Sequence, residues 1–166
     1  MVVAANPRID QYTGTGGTNT YAFTFPVFNS SQLLVTVIGP SIPLTSLSLG
    51  TDYLVSGLSA SGEPASAGNI TLVNSGQSWL TPSGNLLTDC TLTIQSNVAY
   101  TQPTSIRNQG DYYRSALENA LDNLEMQIQQ MNMLIATGQF TMTDVVTGSV
   151  YRLIMVNGVL STQQIS

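Results

Sequence analysis

Between Leu117 and Ile135, six large apolar residues recur at steps of 4, 3, 4, 3 and 4. The spacing puts Leu121, Ile128 and Ile135 at heptad positions a, and Leu117, Leu124 and Met131 at d, along one seam of a helix. A seam of this kind is buried against other helices, so the sequence predicts a coiled coil. The alternative is a single amphipathic helix lying on a sheet. Pro103, Gly110 and Asp111, a plausible N-cap, mark the start, and Gly138 marks the stop. Arg114 takes an a position one heptad before Leu121, where the strands of the coil still splay. Tyr112, Met126 and Met133 fall at f positions with Asn119 between them, where an isolated coiled coil carries charge. This second apolar stripe predicts that the helix packs on something besides its own copies, most simply a β domain.

Upstream of the helix the period changes. Tyr21, Phe23, Phe25 and Val27 alternate with other residues and share one face of an extended segment, and Pro26 restricts that position to a strand end or an edge. Leu33 to Ile38, Asp52 to Val55, Asn69 to Val73 and Cys90 to Gln95 are further strand-like runs bounded by Gly, Pro, Ser or Asn. The fold class predicted is mainly β with one long helix: an antiparallel β sandwich or open barrel, then a trimeric coiled-coil helix, then a short β meander. Its divisions are a β domain with an N-terminal arm over 1–100, a linker and coiled coil over 101–138, and the meander over 139–166. In the meander a first strand near Val145 turns at Thr147-Gly148, and Asn157-Gly158 joins Val150–Val156 to Val159-Leu160 as a hairpin. A sheet of two or three strands is marginal alone. Met1 to Thr20 reads as a polar, Gly-rich arm able to order on a partner.

Composition removes most chemistries. The chain has no His, no Lys, one Cys, and four Arg against nine acidic residues, for a net charge of −5. It cannot neutralise a row of phosphates, so nucleic acid is excluded as a partner. The usual general base and the commonest metal ligand are missing, and one Cys builds neither a zinc site nor an intrachain disulfide. No cofactor, metal or catalysis is predicted. No apolar run reaches the roughly 18 residues of a membrane span, so no membrane insertion is expected, and Met1 to Asn6 is too short for a signal peptide core. In place of charge, the chain carries 20 Thr, 18 Ser, 12 Asn and 12 Gln.

The remaining candidate sites each have a plainer reading. The stretch from Thr13 to Thr18 is glycine-rich but lacks the Lys of a phosphate loop and precedes a strand, which makes it a turn. Glu118, Asp122 and Glu125 read as a solvated helix flank. Cys90 reads as a small core or strand residue without the cationic neighbour that activates a thiol. Trp79 anchors its loop to the domain or to a subunit contact, with a ligand platform as the alternative.

In order, the segments Tyr12-Thr13-Gly14, Gly17-Thr18, Tyr21 to Phe28, Leu33 to Val37, Leu49 to Gly57, Gly68 to Leu72 and Leu92-Thr93-Ile94 form a series. It continues through Thr101-Gln102-Pro103-Thr104, Asn108-Gln109-Gly110, Leu117 to Asp122 and Met126 to Gln130. The series resembles the N-terminal, virion-anchoring domain of tail-fibre and tailspike proteins of short-tailed bacteriophages (podoviruses). The resemblance implies a homotrimeric structural protein of the virion, made in the host cytoplasm and located at the phage tail or head-tail connector. Its β domains would dock on tail, adaptor or nozzle proteins, and its helices would gather on the threefold axis through Leu117, Leu121, Leu124, Ile128, Met131 and Ile135. Pro7, Arg8, Ile9 and Tyr12 are the expected docking arm, and a longer fibre protein is a further partner at the C-terminal end. The alternative function is a receptor-binding module that recognises a host-surface glycan during viral attachment.

Overall fold

The structure, a computed structural model, describes residues 7–59, 64–73, 76–101, 114–137, 141–143, 146–147, 149–156 and 159–164. The chain forms two compact units, Met1–Gln129 and Gln130–Ser166. The strands described in the first are β1 (Ile9–Thr13), β2 (Thr20–Phe23), β3 (Leu33–Gly39), β4 (Ile42–Ser46), β5 (Tyr53–Ser56), β6 (Gly68–Leu72) and β7 (Thr91–Ser96). They form two antiparallel sheets, ordered β1-β7-β3-β4 and β2-β6-β5. β7 is an inner strand of the first sheet, its Thr93 paired with Gln11 on one side and Thr36 on the other. In the second sheet Ile70 lies between Tyr21 and Val55.

Period-two alternation explains which side chains are inside. Val35 and Val37 of β3 and Leu92 and Ile94 of β7 are fully buried, as are Phe23, Phe25, Val27 and Ile70 from the other sheet and its extension. These residues belong to one hydrophobic cluster, so both sheets feed the same core. Each such side chain contributes roughly 1.5–3 kcal/mol on burial. The alternating run from Tyr21 to Val27 is buried at all four expected positions, with β2 ending before Pro26. Trp79 and Leu80 join this cluster, which gives the long loop between β6 and β7 an anchor in the core. The sheets are antiparallel throughout and neither closes into a barrel among the described residues.

Two segments differ from the sequence reading. Ile9 to Thr13 is strand β1, so the N-terminal residues from Ile9 onward are part of the sheet instead of a free arm. The reason is tertiary: the Asp10 carboxylate accepts from Thr24 N at 2.8 Å, and Tyr12 Oη donates to Ala22 O at 2.8 Å, fastening β1 across to the end of β2. β4 escaped notice because of Pro43, which an edge strand accommodates.

The Gly-rich connection from β1 to β2 crosses between the two sheets. Gly14 N donates to Cys90 O at 2.7 Å and Gly16 N to Leu86 O at 3.0 Å, which holds this loop against the segment before β7. That close approach demands glycine: a Cβ on Gly14 would run into the backbone carbonyl oxygen of Leu87.

Helix α1 (Arg114–Ala136) follows, and Thr137 closes its last turn by donating from both N and Oγ1 to Met133 O at 2.9 and 2.8 Å. The second unit contains β8 (Thr141–Thr143), β9 (Val150–Val156) and β10 (Val159–Gln164) in the order β10-β9-β8. The pairing of Val156 with Val159 confirms a hairpin across a two-residue connection, whose residues Asn157 and Gly158 lie outside those described. The first strand of this meander is Thr141–Thr143, set by pairing of Thr143 with Val150, and Val145 lies outside the described residues. Gly138, Asp111, Pro103 and Gly110, expected at the helix ends, lie outside them too.

The glycine at position 14 gives a direct test of the loop packing. Gly14→Ala is expected to destabilise the protein by about 1–3 kcal/mol in thermal unfolding, because the backbone carbonyl it meets cannot move aside cheaply. Gly17→Ala is the control, since its nearest contact would be Thr15 Oγ1 at 3.7 Å, and it should leave the melting temperature unchanged.

Candidate assembly site

The two apolar faces of α1 have different surroundings. Met126 is fully buried against Val98, with Phe28 half-buried beside them. One residue on, Gln127 Nε2 donates to Ala99 O at 2.9 Å and to Thr101 O at 3.1 Å. The segment these bonds hold is itself tied back to the sheet, since Asn97 N donates to Gln32 O at 2.8 Å and Gln32 Oε1 accepts from Phe28 N at 2.7 Å. A short relay of contacts therefore runs from the 3-10 turn (Ser30–Gln32) through the exit of β7 to the helix. The predicted second stripe thus finds the β part of the same chain at Met126; Met133 is buried as well, and Tyr112 lies outside the described residues.

The heptad seam is left open. Leu121, Leu124, Ile128, Met131 and Ile135 retain 56%, 51%, 46%, 45% and 58% of their accessible surface, and Leu117 is half-buried. Five large side chains half in water along one helix face amount to on the order of 5 kcal/mol of unrealised burial, taking about 1 kcal/mol for each. The Arg114 side chain lies outside the described residues.

The expected docking arm is distributed differently from its sequence order. Pro7 is exposed, Ile9 and Tyr12 are half-buried, and Arg8 is fully buried. The Tyr12 ring lies 5.2 Å from that of Tyr21. Arg8 Nη2 donates to Pro26 O at 2.7 Å and its guanidinium stands 5.4 Å from the centre of the Phe25 ring. Its Nε and Nη1 have no hydrogen-bond partner among the described residues, and burial lowers its pKa to about 10. Nothing in the sequence signals this burial, because an Arg at the head of a strand is ordinarily solvated.

The residues weighed for chemistry sit apart. Cys90 is buried and its pKa is raised, first by that burial and then by the charge of Asp89, the opposite of an activated thiol. Asp122 is buried on the helix, whereas Glu125 is exposed and accepts from Gln129 Nε2 at 3.0 Å. Among the described residues no group of three or more His, Cys, Asp or Glu is placed to hold a metal. No described helix is long and apolar enough to cross a membrane. Sequence reasoning missed Gln127 and the carbonyls it clamps, since a Gln on a polar helix flank carries no signal of its own.

Over 131 residues, 79% of its length, the chain is 34% identical to the tail spike protein of Salmonella phage epsilon15. The chain spans only 11% of the length of that relative. No family model matches it. The similarity supports a phage tail protein.

Buried phenols predict how the fold responds to alkali. Burial raises the pKa of Tyr12, Tyr21 and Tyr53 above the ordinary value of 10, with the charge of Asp10 adding to the shift at Tyr12. Above pH 10 the unfolded chain then loses phenolic protons that the folded chain keeps, so the stability these groups confer is complete below pH 10 and lost as pH rises beyond it. Arg8 pulls the other way, because its lowered pKa relieves a penalty over the same range. The melting temperature is expected to fall between pH ~9 and ~11, and Tyr53→Phe should flatten that fall.

Proposed function

We propose that this chain is a structural component of a phage virion, a homotrimeric short fibre or fibre anchor without catalysis. Its β unit attaches to the phage tail, through adaptor or nozzle proteins, and its helix starts a three-stranded shaft. One observation carries the reading: α1 is docked on its own β unit through Met126 and Gln127, while the strict a/d seam on another face of the same helix stays exposed. Heptad spacing is satisfied by knobs-into-holes packing with other helices, which further copies of α1 can supply. Leu, Ile and Met in the seam, with few charges flanking it, suit three strands. The likeness to a tail spike protein supports reading such an assembly as part of a phage tail. The second unit, with its open strand edges, is the end to which a longer fibre protein would attach.

The oligomeric state tests this directly. The full chain is expected to scatter light as a species three times its 17.7 kDa at micromolar concentration. Changing Leu124 and Ile128 together to Asp puts unpaired charges in the seam and should yield monomers whose β unit keeps its circular dichroism. A monomer from the unmodified chain would remove the reading.

A further inference from the structure

The segment leaving β7 ends in a three-residue turn: Thr101 N donates to Ala99 O at 2.8 Å, which puts Tyr100 at the apex. Gln127 Nε2 donates to the carbonyls on either side of that apex, Ala99 O and Thr101 O, at 2.9 and 3.1 Å. The turn is therefore fixed to α1, while Tyr100 keeps 53% of its surface exposed. Helix geometry says which flank of the seam carries it. At about 100° per residue, Gln127 lies about 60° round the helix from Leu124, on the g flank, and Glu125 lies about 40° from Leu121 on the opposite, e flank. The β unit reaches g through Gln127, whereas Glu125 is exposed. One edge of the seam is thus lined by the turn and the other is open at Glu125.

We propose that Tyr100 packs against the e flank of α1 in the next copy of the chain, beside Glu125; the proposal rests on the trimeric reading above. When parallel helices pack through a and d, the g flank of each lies against the e flank of its neighbour. A segment hydrogen-bonded to g therefore sits at the mouth of the groove between two copies. Continuity selects a second copy as the occupant, because the turn borders Leu124 and the rest of the exposed seam. A lined flank meeting an open one is a heterologous contact, and it closes into a ring of three in which each copy gives one turn and receives one. Tyrosine suits the position: its ring covers the aliphatic stems of Glu125 and Gln129 while its hydroxyl stays in water. Because Gln127 already holds the turn within the single chain, little backbone freedom is left to lose on assembly.

The experiment cross-links full-length chains. A chain carrying Tyr100→Cys and one carrying Glu125→Cys are produced together and treated with a short bismaleimide, the unmodified chain with its buried Cys90 serving as the blank. A covalent dimer on a denaturing gel is expected from the mixture and from neither variant alone. Tyr100→Ala should speed subunit exchange between labelled trimers roughly tenfold or more. In the monomeric Leu124→Asp, Ile128→Asp background the same change should leave the melting temperature of the β unit where it was. A trimer that yields no cross-linked dimer, or whose exchange is indifferent to Tyr100→Ala, would overturn the contact and leave the trimeric reading intact. So would a fall in melting temperature in the monomeric background, which would give Tyr100 a role within its own chain. Trimers in which Tyr100→Cys stays open to maleimide until they join a particle would give the turn to a virion protein instead. A monomer from the unmodified chain would remove the trimeric reading, and this contact with it.

Discussion

The structure depends on the burial of Met126. A helix with two apolar faces has to choose which one its own chain covers, and here the choice falls on the f face, where Met126 meets Val98 and Phe28. Burying an unbranched, adaptable side chain at that point fixes the helix to the β unit without using any seam residue. Gln127 then sets the rotation, because one amide nitrogen can reach both Ala99 O and Thr101 O only in a narrow range of helix orientations. The chain's own packing thus uses one face of the helix and leaves the Leu and Ile of the heptad face exposed.

What could be read from the sequence follows from period. The buried side chains from Tyr21 to Val27 alternate without interruption, and the seam repeats every seven residues, so both faces were legible before any coordinates. The hairpin at Asn157-Gly158 was legible for a different reason, since that dipeptide carries its turn chemistry with it. β1 was hidden because its strand character depends on pairing with β7, some 80 residues further on, and on Asp10 and Tyr12 finding Thr24 and Ala22, contacts that no local pattern announces. The burial of Arg8 was hidden in the same way: it rests on Phe25 and Pro26 O, which approach it only once the core has closed.

Charge completes the argument, through its scarcity. Each chain carries a net −5, so three chains brought onto one axis would repel if their carboxylates faced it. The heptad keeps them off the seam: the a and d positions from Leu117 to Ile135 hold no acid, Asp122 is buried, and Glu125 is paired with Gln129 beside the seam. The described β surface is similarly poor in charge, with Asp52 turned inward to accept from Ser48 N at 2.8 Å and Arg8 inside the core. A surface of Thr, Ser, Asn and Gln presents hydrogen-bonding groups that cost less to desolvate than ions and that pair with almost any neighbour. It favours contacts made once, between fixed neighbours in an assembly, over the long-range steering that charged proteins use to find partners in solution. The composition that removes the usual catalytic and metal-binding side chains thus leaves a chain whose polarity is carried mostly by neutral hydrogen-bonding groups.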